Sequence, residues 1–147
     1  MIAHTLTQFF LDGYETLGGV LNLCFYYLAL NPDIQERAYQ EVLDISEKYD
    51  NTLTNDALND LKYLDSVVCE TSRLSSFPVA ARTCTKAWKI PETDIIIPKG
   101  AKITVPISGI HMDEKFFPQP EEFRPERFMP ENKKDFVSGS FIVGLLV

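Results

Sequence analysis

At 147 residues the chain is long enough for one domain or for part of a larger one. Apolar residues make up 45% and charged residues 24%, ordinary proportions for a globular chain that argue against disorder. The net charge of −7, with no Lys/Arg stripe interleaved with aromatics, argues against a nucleic-acid partner, because a phosphate backbone would be repelled.

The first half reads as helix. From about Thr5 to Leu30 the sequence is apolar on nearly every side, the pattern of a helix inside a large core. Its most apolar run, Val20 to Leu30, is shorter than the ~20 residues a bilayer span needs. No basic segment of signal-peptide type opens the chain. Gly13, Gly18 and Gly19 weaken this helix, and so many glycines suggest close approach by another helix or a ligand. Asn31 and Pro32 suit the cap and first turn of a second helix. Its apolar stripe runs through Ile34, Ala38, Val42, Ile45 and Tyr49, and it ends near Asp50. Thr54 can cap a short helix over Asp56 to Leu61. Leu61, Leu64, Val67, Val68, Thr71 and Leu74 mark a further amphipathic helix, with Glu70 and Arg73 beside its stripe and within reach of each other.

After Pro78 the character changes. Short strands are expected at Arg82 to Thr85, Trp88 to Ile90, Ile95 to Ile97 and Lys102 to Val105. Pro98 to Gly100 is read as the turn between two strands of a small hairpin-like sheet. His111 to Pro130 is rich in proline and aromatics without periodicity, so a coil packed by its rings is expected. The fold class is therefore mainly α with a small β portion, an α+β piece. It is expected to be helical over 5–77, with short strands over 80–106, coil over 110–130 and a divergent tail over 137–147.

The cysteines, Cys24, Cys69 and Cys84, are far apart and form no CxxC pair, which speaks against a disulfide framework or a zinc site. Reduced thiols in a cytosol-facing compartment fit better. His111 reads as a turn residue, with no second metal ligand nearby.

Several stretches stand in a particular order: Phe9 to Thr16, Asn31 to Gln35, Glu70-Thr-Ser-Arg73, Arg82 to Lys86, Ile97 to Gly100, Gly109 to Asp113, and Phe123-Arg-Pro-Glu-Arg-Phe128. Each alone is weak, and Glu-x-x-Arg occurs by chance in many helices. The ordered set, with its intervals, resembles the cytochrome P-450 superfamily of haem-thiolate mono-oxygenases over nearly the whole chain, most like its insect microsomal branch. The resemblance implies a partial cytochrome P-450 fold and an oxidoreductase that inserts one oxygen atom from dioxygen into an apolar small molecule. Haem would be the cofactor and an NADPH-dependent reductase the electron donor. The setting would be the cytosolic face of the endoplasmic reticulum membrane, reached through an N-terminal region not in this chain.

The same resemblance assigns roles residue by residue. Glu15 and Thr16 match the acid and alcohol that hydrogen-bond iron-bound dioxygen and relay protons, placed at a helix break; an incidental polar pair is the alternative. Gly13 would open the groove for oxygen. Asp12 departs from the small residue usual before that glycine, and a carboxylate against a haem face would be costly to bury. Glu70, Arg73 and Arg127 match a buried ion network, one carboxylate between two guanidiniums in bidentate geometry, that locks the coil onto the helix. Arg82 matches a haem-propionate partner, although the segment before it lacks the family's usual tyrosine and paired prolines. The family's axial cysteine lies beyond the Phe128 motif, and no cysteine follows Cys84 here. The chain by itself is therefore expected to be inactive and not to hold haem stably. The rival expectation is a non-catalytic truncated product, a pseudogene or an incomplete gene model with no enzymatic role.

Overall fold

The computed structural model describes residues 2–75, 80–132 and 141; within these, nothing is said of the side chains of residues 2–4, 6, 8, 11, 12, 15 and 80. The helical half is built from α1 (Ile2–Leu30), α2 (Pro32–Lys48), α3 (Asn55–Asp60) and α4 (Lys62–Leu74). Four short strands follow: β1 (Ala80–Thr83), β2 (Trp88–Lys89), β3 (Ile96–Ile97) and β4 (Lys102–Val105). A one-turn helix α5 (Ile107–His111) and a 3-10 turn (Pro125–Phe128) complete the elements. Mainly helix with small sheets is the architecture expected of a partial cytochrome P-450 fold.

α1 runs without interruption through Glu15 and Thr16, so the helix break expected there is not present. Apolar side chains cover most of its surface, yet much of that surface is exposed: Phe9 is 82% and Phe25 67% accessible. α1 meets α4 and α2 through its last turns, where Cys24 is buried and Leu28 packs against it. A side chain added at Gly13, Gly18 or Gly19 would meet nothing within 4 Å, so the close approach expected at these glycines is not made among the described residues.

α2 starts at Pro32, whose missing N–H costs nothing in a first turn. Asn31 occupies the cap position but turns backwards: its Nδ2 donates to Tyr27 O at 2.8 Å, closing the end of α1 instead of the start of α2. α3 is capped as expected, with Thr54 Oγ1 accepting from Ala57 N–H at 3.1 Å. α4 is the central element. Tyr63 and Val67 join Cys24 and Ala38 in one buried cluster, with Leu28, Ile34, Leu64, Phe123 and Met129 packed around it. Full burial of a side chain such as Val67 contributes about 1.5–3 kcal/mol.

The strands pair differently from the hairpin expected around Pro98 to Gly100. β3 pairs antiparallel with β2, Trp88 opposite Ile97, and β4 pairs antiparallel with β1, Arg82 opposite Ile103. Pro98 to Gly100 thus joins two separate two-stranded sheets. Gly100, at φ +87°, takes the left-handed conformation that lets the chain return, and its N–H donates to Cys84 O at 2.7 Å. No helix among the described residues is long and apolar enough to cross a membrane.

Candidate functional site

The polar centre of the molecule lies on one face of α4, where Val67, Glu70, Thr71 and Arg73 follow at helical spacing and are all buried. Arg73 grips Glu70 with both edges of its fork: Nε donates to Oε2 at 2.7 Å and Nη2 to Oε1 at 2.8 Å. Both side chains are fully shielded from solvent. The remaining donors of Arg73 reach across to the coil, Nη1 to His111 O at 2.8 Å and Nη2 to Glu122 O at 3.3 Å. From the coil, the Arg124 N–H donates to Glu70 Oε1 at 3.0 Å.

Arg127 completes the cluster in a geometry the sequence did not suggest. Its Nε lies 3.4 Å from Glu70 Oε1, is buried and makes no hydrogen bond. Its two terminal nitrogens donate instead to Pro118 O and Gln119 O. The expected arrangement, one carboxylate held bidentately by two guanidiniums, is therefore corrected. Arg73 alone is bidentate to Glu70, while Arg127 contributes charge to Glu70 and hydrogen bonds to the coil. Two cations and one anion leave an excess positive charge, which the carbonyl dipoles of His111, Glu122, Pro118 and Gln119 offset. Burial pushes the Arg127 pKa below its ordinary value, opposed by the Glu70 charge. Gln119 itself sits at φ +53°, a conformation uncommon outside glycine and asparagine, and the carbonyl this presents is the one Arg127 takes.

His111, read from sequence as a turn residue, is buried at the end of α5. Its Nδ1 lies 3.2 Å from Arg73 O, an acceptor only, so Nδ1 carries the hydrogen. Phe117 meets the ring edge-on and Phe141 stacks on it. Burial holds the His111 pKa below its ordinary value, the Arg73 carbonyl bond partly opposes this, and the Arg73 charge adds to it. The unfolded chain then binds more protons than the folded one once pH falls below about 6.5. Stability contributed by neutral His111 is thus present above that pH and lost as pH falls toward the folded pKa. Urea unfolding at pH 7 and pH 5 should show a smaller loss in His111→Asn, which keeps an N–H donor, than in the unaltered chain. Equal losses would show that His111 is not buried neutral.

The other candidate residues are not brought onto this cluster. Gly13, Glu15 and Thr16 lie in the first half of α1; Thr16 is half-buried, and the Glu15 and Asp12 side chains lie outside the described ones. α1 reaches α4 roughly two turns later, at Cys24, whose thiol pKa is raised by burial and partly lowered by Thr71. Arg82 is exposed on β1, and its Nη1 donates to Ala81 O. No group of His, Cys, Asp and Glu among the described residues could hold a metal ion.

Sequence reasoning missed Arg37, Glu41, Tyr63 and Glu126, which join α2, α4 and the 3-10 turn. Arg37 and Glu41 stand one turn apart, a spacing that normally reads as a pair satisfied within its own helix, so no local signal pointed outward.

A family model described as cytochrome P450 matches residues 1–142. The chain is 36% identical over 143 residues to probable cytochrome P450 6d5 of Drosophila melanogaster, covering 97% of this chain and 28% of that protein. It is 42% identical over 134 residues to probable cytochrome P450 6a13 of the same fly, covering 90% of this chain and 27% of that protein. Cytochrome P450 6l1 of Blattella germanica is 36% identical over 137 residues, covering 91% of this chain and 27% of its own length. The chain thus spans about a quarter of the length of these relatives.

Proposed function

The chain belongs to the cytochrome P450 family, and from that premise we propose that it is part of a haem-dependent mono-oxygenase. The reaction would insert one oxygen atom from dioxygen into an apolar small molecule. Electrons would come from an NADPH-dependent reductase, at the cytosolic face of the endoplasmic reticulum membrane. The observation that carries this reading is the buried cluster of Glu70, Arg73 and Arg127, which ties a family-type helix to a family-type coil within the matched residues.

The described residues fit the surroundings of a haem but not its iron. The exposed aromatic and aliphatic side chains of α1, Phe9, Phe10, Tyr14 and Leu17, offer an apolar face, and the space beside Gly13 is open. The exposed Arg82 guanidinium has donors to spare for a carboxylate. The iron ligand is missing from this set: no cysteine follows Cys84, and the His111 ring is buried among Phe117, Phe141 and the Arg73 carbonyl. Haem, when bound through a thiolate, supplies the electronics for splitting dioxygen. In this proposal Thr16 and Glu15 hold and pass protons on the α1 side. Gly13 keeps the helix surface low, and Arg82 pairs with a propionate. Glu70, Arg73 and Arg127 do no chemistry; they hold the coil in place.

Reconstitution with haem separates the parts of this reading. The longest reading frame that contains the chain should give the red-shifted Soret band of thiolate ligation when reduced and bound to carbon monoxide. The 147-residue chain should not. Absence of the band from the longer protein would sink the mono-oxygenase reading. A red-shifted band from the 147-residue chain, abolished by replacing Cys24, Cys69 or Cys84, would instead show that the chain supplies its own ligand.

A further inference from the structure

Arg37 and Glu41 leave α2 on the same side, one turn apart, and hold two different places. Glu41 takes the start of α4: its carboxylate oxygens accept from Tyr63 N–H at 2.7 Å and Leu64 N–H at 2.8 Å. The cap position of that helix is Leu61, whose side chain cannot accept, so the carboxylate of a neighbouring helix satisfies the free donors at the positive end of the dipole. Arg37 takes the 3-10 turn. Its Nη1 donates to Glu126 Oε1 at 2.8 Å, while its guanidinium lies 3.9 Å over the Tyr63 ring. The Tyr63 hydroxyl donates to the same Glu126 oxygen at 3.0 Å.

We infer that Arg37, Tyr63 and Glu126 are positioning residues that together set the Pro125–Phe128 turn so that Arg127 faces Glu70. The turn is short and has few local bonds. It spans four residues, lacks a side-chain cap at its start, has 3.2 Å bonds at its two ends, Arg127 N to Arg124 O and Met129 N to Glu126 O, and is joined locally by Asn132 Nδ2, which donates to Glu126 O at 2.6 Å. Successive side chains of a 3-10 helix stand about 120° apart. Tying Glu126 to α2 therefore turns the next residue toward α4. An exposed ion pair alone would be weak. Here a buried hydroxyl shares the same carboxylate oxygen, and burial with that bond pushes the Tyr63 pKa up to about 12, so the phenol remains a donor. The arrangement depends on no bound group.

Hydrogen exchange read by mass spectrometry on the whole chain tests this. Arg37→Met changes a half-exposed side chain and keeps every side chain of the buried cluster in place, losing only the charge over the Tyr63 ring. Exchange over residues 119–129 should rise several-fold in Arg37→Met and in Glu126→Gln, while residues 44–60 keep their protection. In an Arg127→Ala background, Arg37→Met should add nothing further, because the group being positioned is gone. Unchanged exchange over 119–129 in Arg37→Met overturns the inference. So does an increase spread evenly over the helices, or an effect that simply adds to that of Arg127→Ala. A Glu126→Gln chain that failed to fold would leave Arg37→Met to decide.

Discussion

Glu70→Ala is expected to lower the unfolding free energy of the chain by about 3–5 kcal/mol, the usual cost of removing one partner from a buried ion pair. The physical reason is what remains. Arg73 Nε would lose its acceptor, Arg73 and Arg127 would face each other across an empty site, and the Arg124 N–H would lose its partner. Water cannot easily replace the carboxylate, because both side chains of the pair are fully shielded. The favourable contribution of the intact pair is much smaller than this cost, since folding must first strip water from all three charges. Glu70→Gln should fall between, keeping shape and one acceptor while losing the charge. Denaturant unfolding followed by circular dichroism provides the measurement. A loss below about 1 kcal/mol would mean that the cluster is solvated in solution, as an exposed pair would be.

Arg127→Lys is the second large effect expected, although charge is conserved. An ammonium is a point charge with no planar fork. It cannot reach Pro118 O and Gln119 O while also keeping positive charge near Glu70. A buried carbonyl left without a donor costs about 1–3 kcal/mol. The strained backbone at Gln119 would also lose the contact that holds it. A loss of about 2–3 kcal/mol in stability is expected. Equal stability of Arg127→Lys and the unaltered chain would show that the terminal nitrogens of Arg127 do not hold the coil.

How far each part could be read from sequence follows from the range of the interaction. Helices α2, α3 and α4 announce themselves locally, through Pro32, through Thr54 three residues before the N–H it caps, and through the Val67–Thr71 stripe. Glu70 and Arg73 share a helix and stand three residues apart, so their pairing could be proposed from spacing alone. Arg127 could be assigned to them only by resemblance, since nothing local links residues on opposite sides of a long irregular segment. Its actual hydrogen bonds, to two carbonyls, leave no trace in side-chain identity. The strand pairing failed for a similar reason. Pro98 to Gly100 has the composition of a hairpin turn, but which neighbour a two-residue strand selects depends on contacts beyond the turn. Asn31 has the composition of a cap for the helix after it, and its side chain serves the helix before it.

Apart from Glu70, every oxygen that Arg73 and Arg127 bind is a main-chain carbonyl, belonging to His111, Glu122, Pro118 and Gln119, and Arg124 joins through its amide. Main-chain groups are common to all residue types. The two arginines therefore recognise the path of the coil and are blind to most of its side chains. Positions 118 and 122 could exchange their residues freely without loss of a single one of these bonds. Barred for these bonds are a proline at 124, which would remove the N–H, and a proline or a β-branched residue at the left-handed position 119. The coil is thus pinned in space through its backbone, which leaves its exposed positions latitude to change their character without releasing the core beneath, while Phe117, Phe123 and Phe128 stay tied to that core by packing.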